Sequence, residues 1–233
     1  MRHRLFGALP AIALVASVGT AHAGIVLVDF GLSGSTTASP DVNGNHWNNF
    51  TPGAFLNLVN TDSTPAGFNL GASTNVSVNN PGALTAPSAW LLGDLAISSA
   101  TGDYAFTSGA ALTFVLSSLD PSKTYDLRMF GTRATDGTRI TQYTATGGDG
   151  PASVQLQTSG VGIGDDGVYN GNDDEIVSLS GIAPTPGGEI TLDVSVITGG
   201  FAYLGVLEIT EVPTPASALA LLGLGAASLR RRR

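Results

Sequence analysis

Between Gly24 and Glu211 the chain shows no amphipathic helix pattern longer than two turns. Short β-branched or alternating runs recur instead, separated by clusters of Gly, Asn, Pro and Ser. That spacing is the signature of strands stacked into a sandwich or barrel. The runs are Ile25 to Phe30, Phe55 to Asn60, Ala66 to Leu70, Asn75 to Val78, Leu95 to Ser98, Tyr104 to Thr107, Ala111 to Ser117, Tyr125 to Gly131, Arg139 to Thr146, Ser153 to Thr158, Glu175 to Leu179, Glu189 to Ile197 and Ala202 to Val212. Period two is cleanest near the end, where Ile190, Leu192, Val194 and Val196 alternate with Thr191, Asp193 and Ser195, predicting one core face and one wet face. Ser88 to Leu95 is the one stretch that suits a short helix. Leu119-Asp120-Pro121-Ser122-Lys123 carries proline at the second position of a turn, and Ile197-Thr198-Gly199-Gly200-Phe201 predicts a hairpin between the last two strands. No internal repeat is present, so residues 24–211 read as one all-β domain, a single β-sandwich.

Composition narrows the chemistry. With no Cys, a disulfide scaffold and a thiolate metal or redox site are excluded, while 42% hydrophobic residues suffice for a packed core. Outside the two ends the cations are Lys123, Arg128, Arg133 and Arg139, set against all 18 Asp and Glu, a formal charge of about −14 on the body. Such a surface stays soluble and repels anionic polymers, so nucleic acid is not an expected partner.

Both ends read as addresses. Arg2 and Arg4 precede an apolar run from Leu5 to Val18, and Ala21-His22-Ala23 closes it with a small-x-small pattern. This is a secretory signal peptide over residues 1–23, cleaved after Ala23, with the Sec translocon and signal peptidase as expected partners. At the far end, residues 212–233 combine Val212-Pro213-Thr214-Pro215, an uncharged run from Ala216 to Leu229, and Arg230, Arg231, Arg232 and Arg233. As a helix that run is about 21 Å long against a hydrocarbon core of about 30 Å, a short span that proline at the first turn and snorkelling arginines would extend. The arginines place that end on the cytoplasmic side and the body outside.

Pro213, Pro215, the short Gly/Ala/Leu helix and the arginine cluster resemble the PEP-CTERM sorting signal of exported bacterial proteins, in a variant of planctomycete type with Thr214 where the family usually has Glu. The resemblance covers Val212 to Arg233 and implies an exosortase-type membrane protease as partner, with transient anchoring in the inner membrane. A second resemblance spans most of the body. Val28-Asp29-Phe30-Gly31, Ser118-Leu119-Asp120-Pro121-Ser122-Lys123-Thr124-Tyr125-Asp126-Leu127 and Ala202-Tyr203-Leu204-Gly205-Val206-Leu207-Glu208-Ile209 together are similar to exported domains with a galactose-binding-like jelly roll. It implies that the first and last strands pair.

Catalytic machinery is sparse. His46 is the one histidine left after leader removal, and its surroundings, Asn43-Gly44-Asn45-His46-Trp47-Asn48-Asn49, read as a polar loop anchored by a tryptophan. No G-x-S-x-G elbow is present. Carboxylate pairs of the glycosidase kind are not singled out: Glu189 and Asp193 share a strand face, whereas Glu208 and Glu211 fall on opposite ones. Gly162-Ile163-Gly164-Asp165-Asp166-Gly167 matches G-x-G-x-x-G, but no helix pattern follows and two aspartates would repel a pyrophosphate.

The same segment, continued through Asn170, Asn172, Asp173, Asp174 and Glu175, concentrates oxygen ligands of the kind calcium uses. Asp165, Asp166, Asn172, Asp173, Asp174 and Glu175 are the candidate ligands, the alternative being a solvated acidic loop. Arg128, Arg133 and Arg139, with Trp47 or Tyr143 as a stacking platform, are the candidate site for a carboxylate or a sugar. The alternative is that these arginines pair with Asp126, Asp136 and other carboxylates. The expected function is that of a non-enzymatic exported protein of the cell envelope or extracellular matrix, structural, adhesive or carbohydrate-binding, with a polysaccharide as candidate partner. A carbohydrate-active hydrolase and a calcium-dependent matrix component are the alternatives.

Overall fold

The computed structural model describes residues 23–165 and 167–212. Its strands in chain order are β1 (Ile25–Phe30), β2 (Trp47–Phe50), β3 (Leu56–Val59), β4 (Pro65–Ala72), β5 (Ser77–Asn79), β6 (Tyr104–Thr107), β7 (Leu112–Ser117), β8 (Thr124–Phe130), β9 (Arg139–Gly147), β10 (Gly150–Ser159), β11 (Val177–Ile182), β12 (Ile190–Thr198), β13 (Ala202–Leu204) and β14 (Val206–Val212). Two short helices, α1 (Ala89–Leu92) and α2 (Ser98–Thr101), flank a 3₁₀ turn at Gly93–Leu95.

The strands form a jelly-roll sandwich. One sheet has the order β11-β8-β14-β1-β2 and the other β10-β9-β12-β7-β4-β3, with a small third sheet β13-β6-β5. First and last strands are neighbours, as the jelly-roll resemblance implies: β1 and β14 run antiparallel, Ile25 opposite Thr210 and Asp29 opposite Val206. Alternation along β1, β8 and β14 sends Val26, Val28, Leu127, Met129, Leu207 and Ile209 inward. There they meet Leu70, Phe114, Leu116, Leu192 and Val194 from the other sheet. At the centre Phe30, Phe50 and Phe114 form a triangle with ring centroids 4.8 to 5.4 Å apart. Such tilted and edge-on contacts are the favoured aromatic geometry.

The outer face of the five-stranded sheet is also covered. Leu27, Trp47, Phe130 and Val206 pack beneath Leu84, Leu92, Leu95, Ile97 and Ala100 from the connection between β5 and β6. This second layer explains why the expected strand at Leu95 to Ser98 is absent. Leu92, Leu95 and Ala100 reach the sheet through turns of helix, which supply their own backbone hydrogen bonds where no strand edge is free.

Three further expectations are corrected. The loop around Trp47 is strand β2, parallel to β1. Its polar sequence is compatible with a strand because Asn48 acts as a substitute for ladder backbone, its Nδ2 donating to the carbonyls of Leu27 and Val59 and its Oδ1 accepting from Val59 N at 2.9 Å. Ala202 to Val212 is two strands, broken at Gly205, where the chain leaves the small sheet for the five-stranded one; Gly205 accepts from Phe30 N and donates to Phe130 O, both at 2.9 Å. Residues 197–201 do not join a paired hairpin. β12 pairs with β7 and β9, and β13 pairs with β6, so the turn passes between sheets. The proline turn is present, with Lys123 N donating to Asp120 O at 3.1 Å and Asp120 Oδ1 accepting from Ser122.

Candidate functional site

Strand β6 carries Tyr104 and Phe106, Phe201 and Tyr203 lie just ahead of and within its partner β13, and the register sets Tyr203 opposite Phe106. Alternation therefore puts Tyr104, Phe106, Phe201 and Tyr203 on one face. Tyr104 stands edge-on to Tyr203 at 4.9 Å, and the rings of Phe201 and Tyr203 lie nearly parallel at 6.3 Å. Arg139, at the start of β9, lays its guanidinium over this face, 4.6 Å from the Phe201 centroid and 5.6 Å from that of Tyr203, and donates to the Tyr203 hydroxyl. Gly199 makes the approach possible. At φ +79° a Cβ there would meet the Thr138 carbonyl and Arg139 Cγ.

Arg133, in the connection between β8 and β9, acts on the same Tyr104 phenol as Arg139. Burial pushes that phenol up and both guanidinium groups pull against it. The Nε of Arg133 is buried with no hydrogen-bond partner among the described residues. Neither Arg133 nor Arg139 has a carboxylate within ion-pair distance among those residues, whereas Arg128 pairs with Glu208 at 2.7 Å. Two of the body's four cations thus converge on an aromatic face with no counterion among the described residues.

The five residues expected to bind ligand are only partly brought together. Arg133 and Arg139 meet at the cluster, with Tyr143 beneath it. Tyr143 is 0% exposed and its hydroxyl donates to the Tyr203 carbonyl at 2.6 Å. It is a support for the cluster and presents no ring to a ligand; burial drives its phenol far up. Trp47 is 3% exposed, under the second apolar layer, and its indole donates to Asp41 Oδ2. Arg128 lies on that same outer sheet face, opposite Glu208 across β8 and β14. Phe106 and Phe201, the half-buried rings of this face, were not singled out from the sequence, although the two aromatic-x-aromatic pairs were the available signal; Tyr104 and Tyr203, each 0% exposed, lie beneath them.

The acidic loop is organised by its own backbone. Asp173 Oδ1 accepts from Asp165 N at 2.8 Å. Asn172 is buried, its Nδ2 donating to Gly131 O and Glu175 O, its Oδ1 accepting from Glu175 N and Asp174 N. With that oxygen engaged inside the loop, Asn172 acts as a loop clamp. Asp174 and Glu175 point to solvent, and among the described residues no three His, Asp or Glu side chains converge as a metal site would require. Asp166 lies outside the described residues. So do Ala21, Pro213, Pro215, Arg230, Arg231, Arg232 and Arg233; Ala23 is described and exposed. No helix among the described residues is long and apolar enough to cross a membrane.

Of the acid pairs, Glu208 faces Arg128 while Glu211 turns to Lys123 at 2.5 Å, on opposite faces of β14. Asp193 accepts from the Thr113 hydroxyl. A different pair is buried: Asp29 is 2% and Asp103 1% exposed, and their carboxyls hydrogen-bond to each other. Asp29 Oδ2 accepts from Thr37 N at 3.0 Å and Asp103 Oδ2 from Leu32 N at 2.7 Å. Burial, and for Asp29 the neighbouring Asp103 charge, push both groups well above the ordinary carboxylate range. Enclosed under the second layer, this pair belongs to the fold's interior and not to a cleft.

No family model matches the chain, and no curated protein matches it. Among solved structures it is similar to TmCBM61 in complex with β-1,4-galactotriose, at 12% identity over 61% of this chain and 88% of that one, TM-score 0.31. It is similar to the ANXUR2 extracellular domain from Arabidopsis thaliana at 13% identity over 82% of this chain and 50% of that one, TM-score 0.48. A family 35 carbohydrate binding module from Clostridium thermocellum is 11% identical over 62% of this chain and 98% of that one, TM-score 0.33.

Proposed function

We propose that this chain is an exported, non-catalytic carbohydrate-binding protein of the cell envelope or extracellular matrix, and that its binding site is the half-buried cluster of Arg133, Arg139, Phe106 and Phe201, built over the buried Tyr104 and Tyr203. The observation that carries this reading is the Arg139 guanidinium held over Phe201 and Tyr203 with no carboxylate partner among the described residues. An arginine fixed in that way offers a planar fork to a carboxylate beside an apolar ring, the combination that a sugar acid presents. Because the rest of the body is strongly negative, the ligand that fits is a single uronic acid or other acidic residue at a chain end, where local attraction outweighs the repulsion a long anionic polymer would meet.

Export rests on the sequence of the ends: a leader over residues 1–23 and a sorting tail over 212–233 read by an exosortase-type protease. Cell fractionation with mass spectrometry of the mature protein tests this, and an intact chain in the cytosol refutes it. A glycan array tests binding. Acidic termini are retained by the wild-type protein and lost in Arg139→Ala; equal retention by both proteins overturns the site. Running the array with EDTA decides whether the acidic loop contributes calcium to binding.

A further inference from the structure

On the outer face of the six-stranded sheet a large aromatic side chain stands free. Phe55, just ahead of β3, is 64% exposed. Its ring edge rests on Gly71 of β4, where a Cβ would come within 3.0 Å of Phe55 Cδ2, so the bare backbone of Gly71 is what lets the ring lie down against the sheet. Two hollows flank it. One, a groove of about 850 Å³, runs between the Pro52 to Phe55 turn and the stretch from Gly71 to Val76. The other is smaller and is floored by Gly71, Val115 and Ser117. No residue lining either hollow is charged, on a body with an excess of about 14 carboxylates. Ser73, Thr74 and Asn75 supply hydroxyl and amide groups along the wall, all exposed. Beyond them the strand register continues a row of Thr113, Asp193, Thr144 and Ser153 across β7, β12, β9 and β10.

We propose that Phe55 and its two hollows form a second binding site, for a neutral glycan chain laid along the outer face of the six-stranded sheet. A sugar ring presents an apolar face to an aromatic ring and hydroxyls to its surroundings, and the groove offers one flat exposed ring between walls of hydroxyl and amide groups. Absence of charge in the lining selects against acidic chains, which the body's field also repels. An added peptide strand fits less well. β3 is the sheet edge such a strand would use, and Asn48 already occupies both the N–H and the carbonyl of Val59.

The test is affinity electrophoresis of the mature protein through gels containing galactomannan, xyloglucan or β-glucan, each a neutral polysaccharide, beside sedimentation velocity of the same samples. The wild-type protein is retarded by at least one of these polymers, Phe55→Ala weakens the retardation tenfold or more, Asn75→Ala weakens it less, and Arg139→Ala leaves it unchanged. Circular dichroism confirms that the variants keep the fold. No retardation by any polymer overturns the proposal, as does retardation that survives Phe55→Ala or falls with Arg139→Ala. A wild-type dimer that Phe55→Ala converts to monomer also overturns it and assigns the face to a second copy of the chain. Loss of acidic-glycan binding in Arg139→Ala is a separate readout, so either site can fail without the other.

Discussion

Asp29 and Asp103 share a hydrogen bond that only a protonated carboxyl can donate. As two carboxylates, each would keep a buried Oδ1 with no donor. A single proton between them satisfies both, and no cation is among the groups that act on either carboxyl.

Stability should therefore depend on pH in the direction opposite to that of a salt-bridged acid. Asp29 titrates at about 7 in the fold against 3.8 unfolded, so between those values the folded state binds more protons than the unfolded one. Stability is then highest toward the acid side of that window and falls as pH rises through it, by an amount on the order of a few kcal/mol. Asp29→Asn replaces the shared proton with an amide donor and should flatten the profile. Urea denaturation at pH 4.5, 6 and 7.5 checks both; a variant with the wild-type slope would refute the shared proton.

Tyr143 holds the arginine cluster from below through one buried hydrogen bond to the Tyr203 carbonyl. Tyr143→Phe leaves that carbonyl without its donor and should cost about 1–3 kcal/mol in urea denaturation. Binding of acidic glycans should weaken with it, because Tyr203 is the buried ring against which Arg139 is held.

Asn48 joins the edges of the two sheets through its contacts with Leu27 and Val59. Asn48→Ala removes three hydrogen bonds at once and exposes the edge of β3. The expected outcome is a loss of about 2–4 kcal/mol together with concentration-dependent aggregation, read by denaturation and light scattering.

Arg128 was a candidate ligand residue, and its geometry makes it a partner of Glu208. Because the Arg128 side chain is 42% exposed, a double-mutant cycle with Glu208 should give a coupling of only about 0.5–1 kcal/mol, falling with salt. Arg128→Ala should leave glycan retention on the array unchanged.

The sandwich was legible because alternation survives wherever one face of a strand is wet, as along Ile190 to Ile197. It failed where a strand is covered on both faces or held by side chains: β2 looks like a loop because Asn48 and Asn49 hide a ladder role behind polar side chains. The short helix at Ala89–Leu92 falls within the stretch expected to be helical, whereas the turns from Leu95 to Ser98 looked like strand because a short apolar run has no period of its own. At the site, counting cations found Arg133 and Arg139 but also Arg128, since charge alone does not tell which carboxylate lies across the strand. Tyr143 was chosen as a platform and Tyr203 overlooked, although both sit in alternating runs. Both tyrosines are fully buried, and which of them touches Arg139 is fixed by the third sheet, whose pairing no local pattern announces.

The pairing of β1 with β14 has a mechanical consequence. Gly24 O accepts from Glu211 N, so polypeptide continuing past either of these residues departs from one pole of the sandwich. Asn60 and Thr61, at the far end of β3 from Phe55, lie at that same pole, where Thr61 N donates to Ile25 O. Tyr203 precedes β14, whose seven residues span about 23 Å before reaching it. If the chain were tethered at that pole, the cluster around Arg139 would stand away from the tether, with the Phe55 face alongside like the flank of a lantern on a short chain.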